Sequence, residues 1–255
     1  MSGYTRYNSK MWDAWSEQRN QWTIPLSHEE FLKAKAEPPL IFLTPEKTVP
    51  LAWFPPAGAR VLGVACGGGQ QGPVLVASGY EVSIMDLSDR QLGAERLVAA
   101  REGYRIDTVK ADMTVSFPFA SASFDLVVNP VSNSYIEELD NLWRESFRVL
   151  KPGGALMTGW ANPLLYLFED APFEQEGLDF VCKFPLPYNG RKMAEAGMEV
   201  RLDTGYQFSH TLEAQIGGQL RAGFVLKGFY EDTESASPLA RFTSMYAADL
   251  AVKPA

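Results

Sequence analysis

The chain has few cysteines and few histidines, two of each among its 255 residues. Cys66 and Cys182 belong to no C-x-x-C pair, so the sequence predicts neither a zinc site nor a disulfide framework. His28 stands beside two glutamates at a helix start and is expected at the surface. We therefore expect no metal, and His210 is left as the candidate imidazole base.

Long apolar runs and basic clusters are also missing. No apolar stretch reaches the roughly 18 residues of a membrane span, and no basic segment followed by an apolar one opens the chain. The formal net charge is −8, whereas proteins that follow nucleic-acid backbones carry a basic face. We expect a cytoplasmic protein that acts on neither membranes nor nucleic acids. Its oligomeric state, monomer or homo-oligomer, stays open.

The stretch that organises the chain is residues 61–72. Its apolar run ends in three consecutive glycines, a pattern that predicts a buried parallel strand turning into a helix. Glycine allows the turn and lets a ligand lie against the main chain. The free N–H groups at the start of the following helix favour a carboxylate or phosphate. The stretch therefore predicts a nucleotide-type cofactor site at the first crossover of an α/β sheet.

The glycine spacing is compatible with two cofactors. Gly67, Gly69 and Gly72 satisfy G-x-G-x-x-G, and Asp86 is the acid, about twenty residues on, that could hold ribose hydroxyls. This pattern suits NAD(P) and S-adenosylmethionine (SAM) equally well. An NAD(P)-dependent oxidoreductase should also show a Tyr/Lys or similar hydride-transfer constellation, and none stands out at a familiar spacing.

Five segments, in order, resemble motifs of the class I SAM-dependent methyltransferases. They are residues 61–69 (glycine motif), 81–86 (second strand with its ribose-binding acid), 111–113 (adenine segment), 124–130 (fourth strand) and 148–154 (approach to the fifth strand). Nearly the whole chain also resembles a bacterial group of methyltransferases of this length. The resemblance implies SAM as cofactor, with S-adenosylhomocysteine as its product, and gives no acceptor.

The alternation of strands and helices predicts an α/β fold. We expect the doubly wound, Rossmann-like sheet of the class I methyltransferases, mostly parallel with the last strand antiparallel. The predicted later elements are a third strand at 106–110, a fifth strand at 154–160, a helix at 209–222, and closing strands at 224–230 and 244–252.

Two positions depart from the family pattern. The family usually has an acid where Gly63 stands and a glycine where Ala65 stands. The acid normally orders the loop and the amino group of the methionine part of SAM. Another group, such as a main-chain carbonyl or Gln70, must do that work here. These departures keep open a non-catalytic SAM-binding regulator as an alternative.

The resemblance assigns cofactor-binding residues to the glycine loop and to the strand ends. Asp86 is assigned to the ribose and Asp112 with Met113 to the adenine. As alternatives, Asp86 is a helix-capping acid, Asp112 is a surface turn acid and Met113 is a core residue. Gln70 and Gln71 either reach the ligand or are ordinary first-turn polar residues. The predicted set is Ala65, Cys66, Gly67, Gly69, Gln70, Gln71, Asp86, Leu87, Gln91, Asp112, Met113, Asn129 and Pro130.

Two segments lie outside the common fold. Residues 1–56 are rich in aromatics and hold a capping box at Ser27 and Glu30; these aromatics either dock the segment on the sheet or form a lid over the site. Residues 57–255 are the predicted methyltransferase domain, in which 162–207 form an insertion over the active site. The predicted substrate-binding residues are Trp12, Trp15, Trp22, Ser132, Tyr166 and Tyr188.

Methyl transfer from a sulfonium is an in-line displacement, in which the protein mainly positions and desolvates the reactants. A general base is required only when the acceptor must lose a proton. The candidate catalytic residues are Asn129, Tyr135 and His210. Asn129 with Pro130 partly resembles the Asn-Pro-Pro-aromatic signature of amino-group methyltransferases, which implies that Asn129 orients the acceptor. The alternative is that Asn129 only forms a turn. The alternative for His210 is a structural place in the first turn of a helix.

The sequence thus predicts SAM-dependent methylation of a small molecule. The many aromatic residues in both covering segments favour a planar or apolar acceptor, for instance an aromatic or heteroaromatic metabolite. The alternatives are an NAD(P)-dependent oxidoreductase of Rossmann type, a non-catalytic SAM-binding regulator, and a methyltransferase that acts on protein or nucleic acid. The acidity of the chain argues against nucleic acid.

Overall fold

The structure is a computed structural model that describes residues 2–169, 171–172 and 174–255. Within these residues, seven strands form one sheet in the order β3-β2-β1-β4-β5-β7-β6. The strands are β1 Arg60–Val64, β2 Glu81–Asp86, β3 Asp107–Lys110, β4 Phe124–Asn129, β5 Leu150–Ala161, β6 Val225–Asp232 and β7 Tyr246–Val252. β7 runs antiparallel to both of its neighbours, and the other neighbouring strands pair in parallel. The predicted sheet is confirmed.

Helices cover both faces of this sheet. They are α1 Gly3–Glu17, α2 His28–Ala36, α3 Gln71–Ala77, α4 Asp89–Glu102, α5 Asp140–Val149, α6 Gly190–Glu195 and α7 Gly218–Ala222. Successive residues of β1 point to opposite faces. Val61 accordingly belongs to a core cluster with Val74 and Leu75 of α3, and Leu62 to a cluster with Leu142 and Trp143 of α5.

The sheet positions the site through its topology. β1 pairs with β2 on one side and with β4 on the other. Successive strands are therefore added to one side of β1 up to β3 and to its other side from β4 onward. A crevice opens outside the carboxyl ends of the strands at such a switch point. The glycine loop follows β1 directly and therefore lies at this crevice.

The helix predicted over 209–222 is shorter and irregular. A π-helical turn, Glu213–Gly217, precedes α7. The Trp143 indole Nε1 donates a hydrogen bond to the Ala214 main-chain oxygen at 2.9 Å. A Cβ at Gly218 would lie 2.6 Å from Trp143 Cδ1. Close packing on Trp143 thus sets the backbone here, and a sequence pattern does not report such a contact.

The other boundaries differ from the prediction by a few residues. The third strand lacks Ile106. The fifth strand is longer at both ends, because it pairs with β4 from Leu150 and with β7 as far as Ala161. Among the described residues, no helix is both long enough and apolar enough to cross a bilayer.

Candidate functional site

A cavity of about 1150 Å³ opens at the carboxyl ends of β1, β2 and β4. Its wall brings together the glycine loop, the end of β2, the turn after β4, the N-terminal segment and the insertion. Most of the predicted site residues line it: Trp12, Trp15, Trp22, Ala65, Cys66, Gly67, Gln70, Gln71, Asp86, Leu87, Gln91, Met113, Pro130, Ser132, Tyr135, Tyr166 and Tyr188.

The glycine loop has little space for side chains. A Cβ at Gly67 would lie 2.7 Å from Gln91 Cβ and 2.9 Å from Asp86 Oδ2. The φ angle is +110° at Gly68 and +69° at Gly69, and Ala65 also adopts a left-handed conformation, with φ +48°. Glycine tolerates such angles, whereas a residue with a Cβ is strained there. The loop thus brings bare main chain to the cavity wall.

Asp86 lies where the end of β2 meets this loop. Its Oδ2 accepts a hydrogen bond from Gly67 N at 3.0 Å, and its Oδ1 accepts one from Ser88 N at 2.9 Å. Burial raises the pKa of Asp86 to about 6, against the lowering effect of these amides. The carboxylate therefore stands at the edge of the cavity, as an acid that binds two ribose hydroxyls would.

Two buried polar groups near the cavity have atoms that no described residue satisfies. Both amide atoms of the Gln91 side chain, in the cavity wall, have no hydrogen-bond partner among the described residues. The same holds for Asp112 Oδ2, beside Ala111 and Met113 of the wall. Buried polar groups are normally satisfied. These atoms therefore fit a polar ligand that completes them.

Asp112 itself is placed behind the cavity wall. It is buried, and its Oδ1 accepts hydrogen bonds from Thr114 N at 2.9 Å and Thr114 Oγ1 at 2.7 Å. This geometry is that of a turn acid, the alternative considered above, and Oδ2 is buried without a hydrogen-bond partner among the described residues. Met113 does line the cavity.

Asn129 is also outside the cavity lining. Its Nδ2 donates to Val64 O at 2.9 Å and to Ser132 Oγ at 2.8 Å, and its Oδ1 accepts from Thr158 Oγ1 at 3.2 Å. The amide is fully used in joining the ends of β1, β4 and β5. The structure therefore gives Asn129 a structural place, and its neighbours Pro130 and Ser132 line the cavity instead.

His210 does not reach the cavity either. Its ring is buried, and Nε2 makes a 3.1 Å hydrogen bond with the Asn133 main-chain oxygen. Burial lowers the pKa of His210, so the ring is neutral and donates to that carbonyl. This position agrees with the structural alternative and not with a base beside an acceptor.

Gly69 faces away from the cavity as well. Its N–H donates to Glu95 Oε1 at 2.8 Å, and its carbonyl oxygen accepts from Leu26 N at 2.8 Å. The sequence predicts that Gly69 contacts the cofactor, but Gly69 does not line the cavity and instead shapes the loop from behind. Glu95 is a residue of this site that the sequence analysis missed.

Hydrogen bonds join the N-terminal segment to the glycine loop, to α3 and to the end of β2 in the cavity wall. Gln70 Nε2 donates to Ile24 O at 3.0 Å, and Gln71 Nε2 donates to Phe42 O at 2.8 Å. Ser9 Oγ donates to Leu87 O at 2.9 Å. The two glutamines thus bind the covering segment with their side chains and remain part of the wall.

The insertion is anchored to the turn after β4. Arg191 Nη2 contacts Glu137 Oε2 at 2.8 Å and Oε1 at 2.9 Å, and Asn189 Nδ2 donates to the same carboxylate at 2.8 Å. This arrangement holds the pKa of Glu137 below its usual value. Asp170 and Phe173 of the predicted insertion lie outside the described residues.

Aromatic rings from the N-terminal segment, the turn after β4 and the insertion form a part of the wall that we call the aromatic part. Trp12 packs edge-on against Tyr135 with ring centroids 5.5 Å apart, and Tyr166 packs against Tyr188 at 5.4 Å. The Tyr166 hydroxyl donates to Gln207 Oε1 at 3.0 Å. Tyr246 of β7 adds a further ring that the sequence analysis missed.

The hydroxyl of Tyr135 has no hydrogen-bond partner among the described residues. Burial raises the pKa of Tyr135 and of Tyr246 and raises the pKa of Tyr166 to about 12. These phenols stay protonated near neutral pH. They can donate hydrogen bonds to a ligand but do not act as bases.

A family model described as a methyltransferase domain matches residues 62–158. The chain is also 40% identical, over 257 residues, to the uncharacterized methyltransferase YbaJ of Bacillus subtilis, and the alignment covers 99% of this chain and 100% of that protein.

Solved structures share the fold. An S-adenosylmethionine dependent methyltransferase from Mesorhizobium loti superposes with a TM-score of 0.62 at 23% identity, over 79% of this chain and 94% of that chain. A 1,6-didemethyltoxoflavin-N1-methyltransferase from Burkholderia thailandensis, solved with 1,6-didemethyltoxoflavin and S-adenosylhomocysteine, gives a TM-score of 0.57 at 15% identity, over 100% and 92%. At these identities the likeness concerns the fold alone.

Proposed function

The chain belongs to the SAM-dependent methyltransferases, and on that premise we propose that it methylates a small planar acceptor bound in the aromatic part of the cavity. One observation carries this proposal: the glycine loop and the aromatic rings line the same cavity of about 1150 Å³. Single-ligand pockets usually measure about 300–1,000 Å³. The space therefore suits a cofactor and an acceptor side by side. Family membership sets aside the NAD(P)-dependent oxidoreductase.

The residues near the loop fit the cofactor. Bound SAM supplies a methyl group on a positively charged sulfur, ready for attack by a nucleophile. Asp86 offers carboxylate oxygens to the ribose, and Met113 offers an apolar surface to the adenine. The unsatisfied side-chain amide of Gln91, in the cavity wall, supplies polar contacts. The bare main chain at Gly67 allows close approach.

The residues of the aromatic part orient an acceptor and exclude water. Ring faces attract a neighbouring cation and provide flat apolar surface for a planar ligand. Tyr135, whose hydroxyl has no hydrogen-bond partner among the described residues, is the last residue of the 3-10 turn Asn133–Tyr135 that follows β4. We assign it the task of holding a polar atom of the acceptor. Trp12 contacts the same ring and fixes its plane.

The proposed acceptor is nucleophilic without help from an imidazole. His210 lies behind the cavity wall, and the phenols of the wall remain protonated. A heteroaromatic nitrogen or an acidic phenol meets this requirement, because neither needs a strong base at the moment of attack. The Burkholderia thailandensis structure is that of an N1-methyltransferase with bound 1,6-didemethyltoxoflavin, and it supports the proposal by likeness of fold.

The test is a turnover assay with SAM and a panel of phenols, heteroaromatic amines, aliphatic amines and carboxylic acids, read by mass spectrometry as S-adenosylhomocysteine and methylated product. We expect turnover with planar members. Tyr135→Phe should lower kcat/KM for the best member about tenfold, which corresponds to the loss of one hydrogen bond. The affinity for S-adenosylhomocysteine should not change.

Tyr80→Phe is the matched control, because the Tyr80 hydroxyl donates to Pro55 O at 2.9 Å at the opposite end of β2. SAM binding without turnover on any member would contradict the proposal and favour the regulator alternative. Methylation of protein alone, or of aliphatic members alone, would also contradict it.

A further inference from the structure

Glu95 is a buried acid directly behind the glycine loop. It lies in α4 with 0% of its surface exposed, and its Oε1 accepts a hydrogen bond from Gly69 N at 2.8 Å. Burial raises the pKa of Glu95 to about 8, and the nearby charge of Asp86 adds to this effect. The carboxyl group is therefore mostly protonated at neutral pH and serves as an uncharged acceptor.

The glycine loop is held from α4 at two successive amides. Gly68 N donates to the Gln91 main-chain oxygen at 3.0 Å, and Gly69 N donates to the Glu95 carboxyl group one helical turn later. Both glycines have positive φ angles, which turn their N–H groups away from the cavity and toward α4. The shape that the loop presents to a ligand thus depends on acceptors behind it.

The neighbouring glycines leave room for this arrangement. A Cβ at Gly72 would collide with Glu95 Oε2. On β1, a Cβ at Gly63 would lie 2.6 Å from Ile84 Cδ1 and 2.9 Å from Cys66 Cβ, so a side chain there has no space. The loop is therefore supported by a carboxyl group from α4 and not by one from β1.

We propose that Glu95 is a positioning residue of the cofactor site, which fixes the glycine loop in its SAM-binding shape by holding the Gly69 amide. Glu95 itself lies outside the cavity lining, so it acts through the loop and touches no ligand. The inference rests on SAM binding and is independent of the acceptor.

The test is calorimetric titration of S-adenosylhomocysteine well below the Tm of each variant. Glu95→Leu keeps the approximate size and removes the acceptor, and it should weaken the affinity about tenfold or more, which corresponds to about 1.4 kcal/mol. Glu95→Gln keeps an oxygen that accepts from Gly69 N, resembles the protonated acid, and should stay within about threefold of wild type.

Glu145→Leu is the matched control. Glu145 is another buried acid that accepts from a main-chain amide, Phe117 N at 2.7 Å, but it lies in α5 away from the loop. We expect this variant to lower Tm without changing the affinity for S-adenosylhomocysteine. A structural role of Glu95 alone would give the same pattern in Glu95→Leu, and that result would overturn the proposal.

A second variant decides the question if Glu95→Leu does not fold. Gly72→Ala adds a methyl group to α3 that forces the Glu95 carboxyl group to move, while alanine favours the helix. We expect weaker S-adenosylhomocysteine binding well below the Tm, together with a lower Tm, because the added methyl group overpacks this buried site. Affinity equal to wild type in this variant would contradict the proposal. Neither outcome bears on the acceptor.

Discussion

Asn8 and Tyr206 exchange two hydrogen bonds that join the N-terminal segment to residues 162–207, and both stretches line the cavity. Asn8 Nδ2 donates to Tyr206 O at 3.0 Å, and Asn8 Oδ1 accepts from Tyr206 N at 2.7 Å. The same Nδ2 also donates to Tyr135 O at 3.1 Å. One buried side chain of α1 therefore ties the insertion to the turn that carries the proposed acceptor residue.

Asn8→Ala should loosen the cover over the cavity. Each lost hydrogen bond contributes about 0.5–1.5 kcal/mol, so we expect S-adenosylhomocysteine affinity to fall about tenfold or more and proteolysis of the N-terminal segment to become faster. Asn8→Asp retains the acceptor for Tyr206 N and should give a smaller effect. Equal protection and equal affinity in Asn8→Ala would show that the cover closes without this contact.

Asp86 should make cofactor binding depend on pH. Binding of ribose hydroxyls requires the carboxylate, and burial, with the charge of Asp13 nearby, raises its pKa to about 6. S-adenosylhomocysteine affinity should therefore hold above pH 7 and fall as the pH drops through about 6, by at most about tenfold per pH unit.

Two variants check this assignment by calorimetry across pH 5–8. Asp86→Ala should bind S-adenosylhomocysteine at least about tenfold more weakly at pH 7.5. Asp86→Asn should bind weakly with no further loss on the acid side. An acid-side loss that persists in Asp86→Asn would assign the titration to another group.

Ala65 should carry measurable backbone strain. A left-handed conformation costs a residue with a Cβ about 1–2 kcal/mol. Glycine in place of alanine lowers the free energy of unfolding by about 0.5–1 kcal/mol, because the unfolded chain gains conformational freedom. Ala65→Gly should therefore leave the free energy of unfolding unchanged or raise it by up to about 1.5 kcal/mol. Ala100→Gly, on the exposed side of α4, should lower it by about 1 kcal/mol. Equal losses would mean that position 65 is not strained.

His210 should be dispensable for chemistry. Its ring is buried behind the cavity wall and bonds to the Asn133 carbonyl, so His210→Gln keeps a donor at this place. We expect turnover and its pH profile to match wild type, with a stability loss of about 1 kcal/mol. A loss of turnover in a variant with unchanged Tm would restore His210 as a base.

The strands could be predicted from local patterns in the sequence, and the mostly parallel sheet with its antiparallel last strand from the resemblance to the class I methyltransferases. Apolar runs mark β1, β2 and β4, and the glycines after Val64 mark the turn. Asp86 could be singled out by its place at a strand end, and it lines the cavity; its binding of ribose stays a prediction.

The parts that could not be predicted depend on contacts between distant residues. The π-helical turn at Glu213–Gly217 follows from packing on Trp143. Tyr246 reaches the cavity because β7 pairs with β5 across about ninety residues of sequence. In the sequence, nothing distinguishes Glu95 from the other acidic residues of the helices. Its hydrogen bond with Gly69 N, 26 residues away, is visible only in the structure.

The most direct test of the shared cavity is saturation-transfer NMR of the small-molecule panel, with and without saturating S-adenosylhomocysteine. If the cofactor and acceptor lie side by side, planar members should bind the S-adenosylhomocysteine-loaded protein, and Trp12→Ala should weaken that binding. If S-adenosylhomocysteine displaces every planar member, the cavity holds one ligand at a time and the proposed arrangement is wrong.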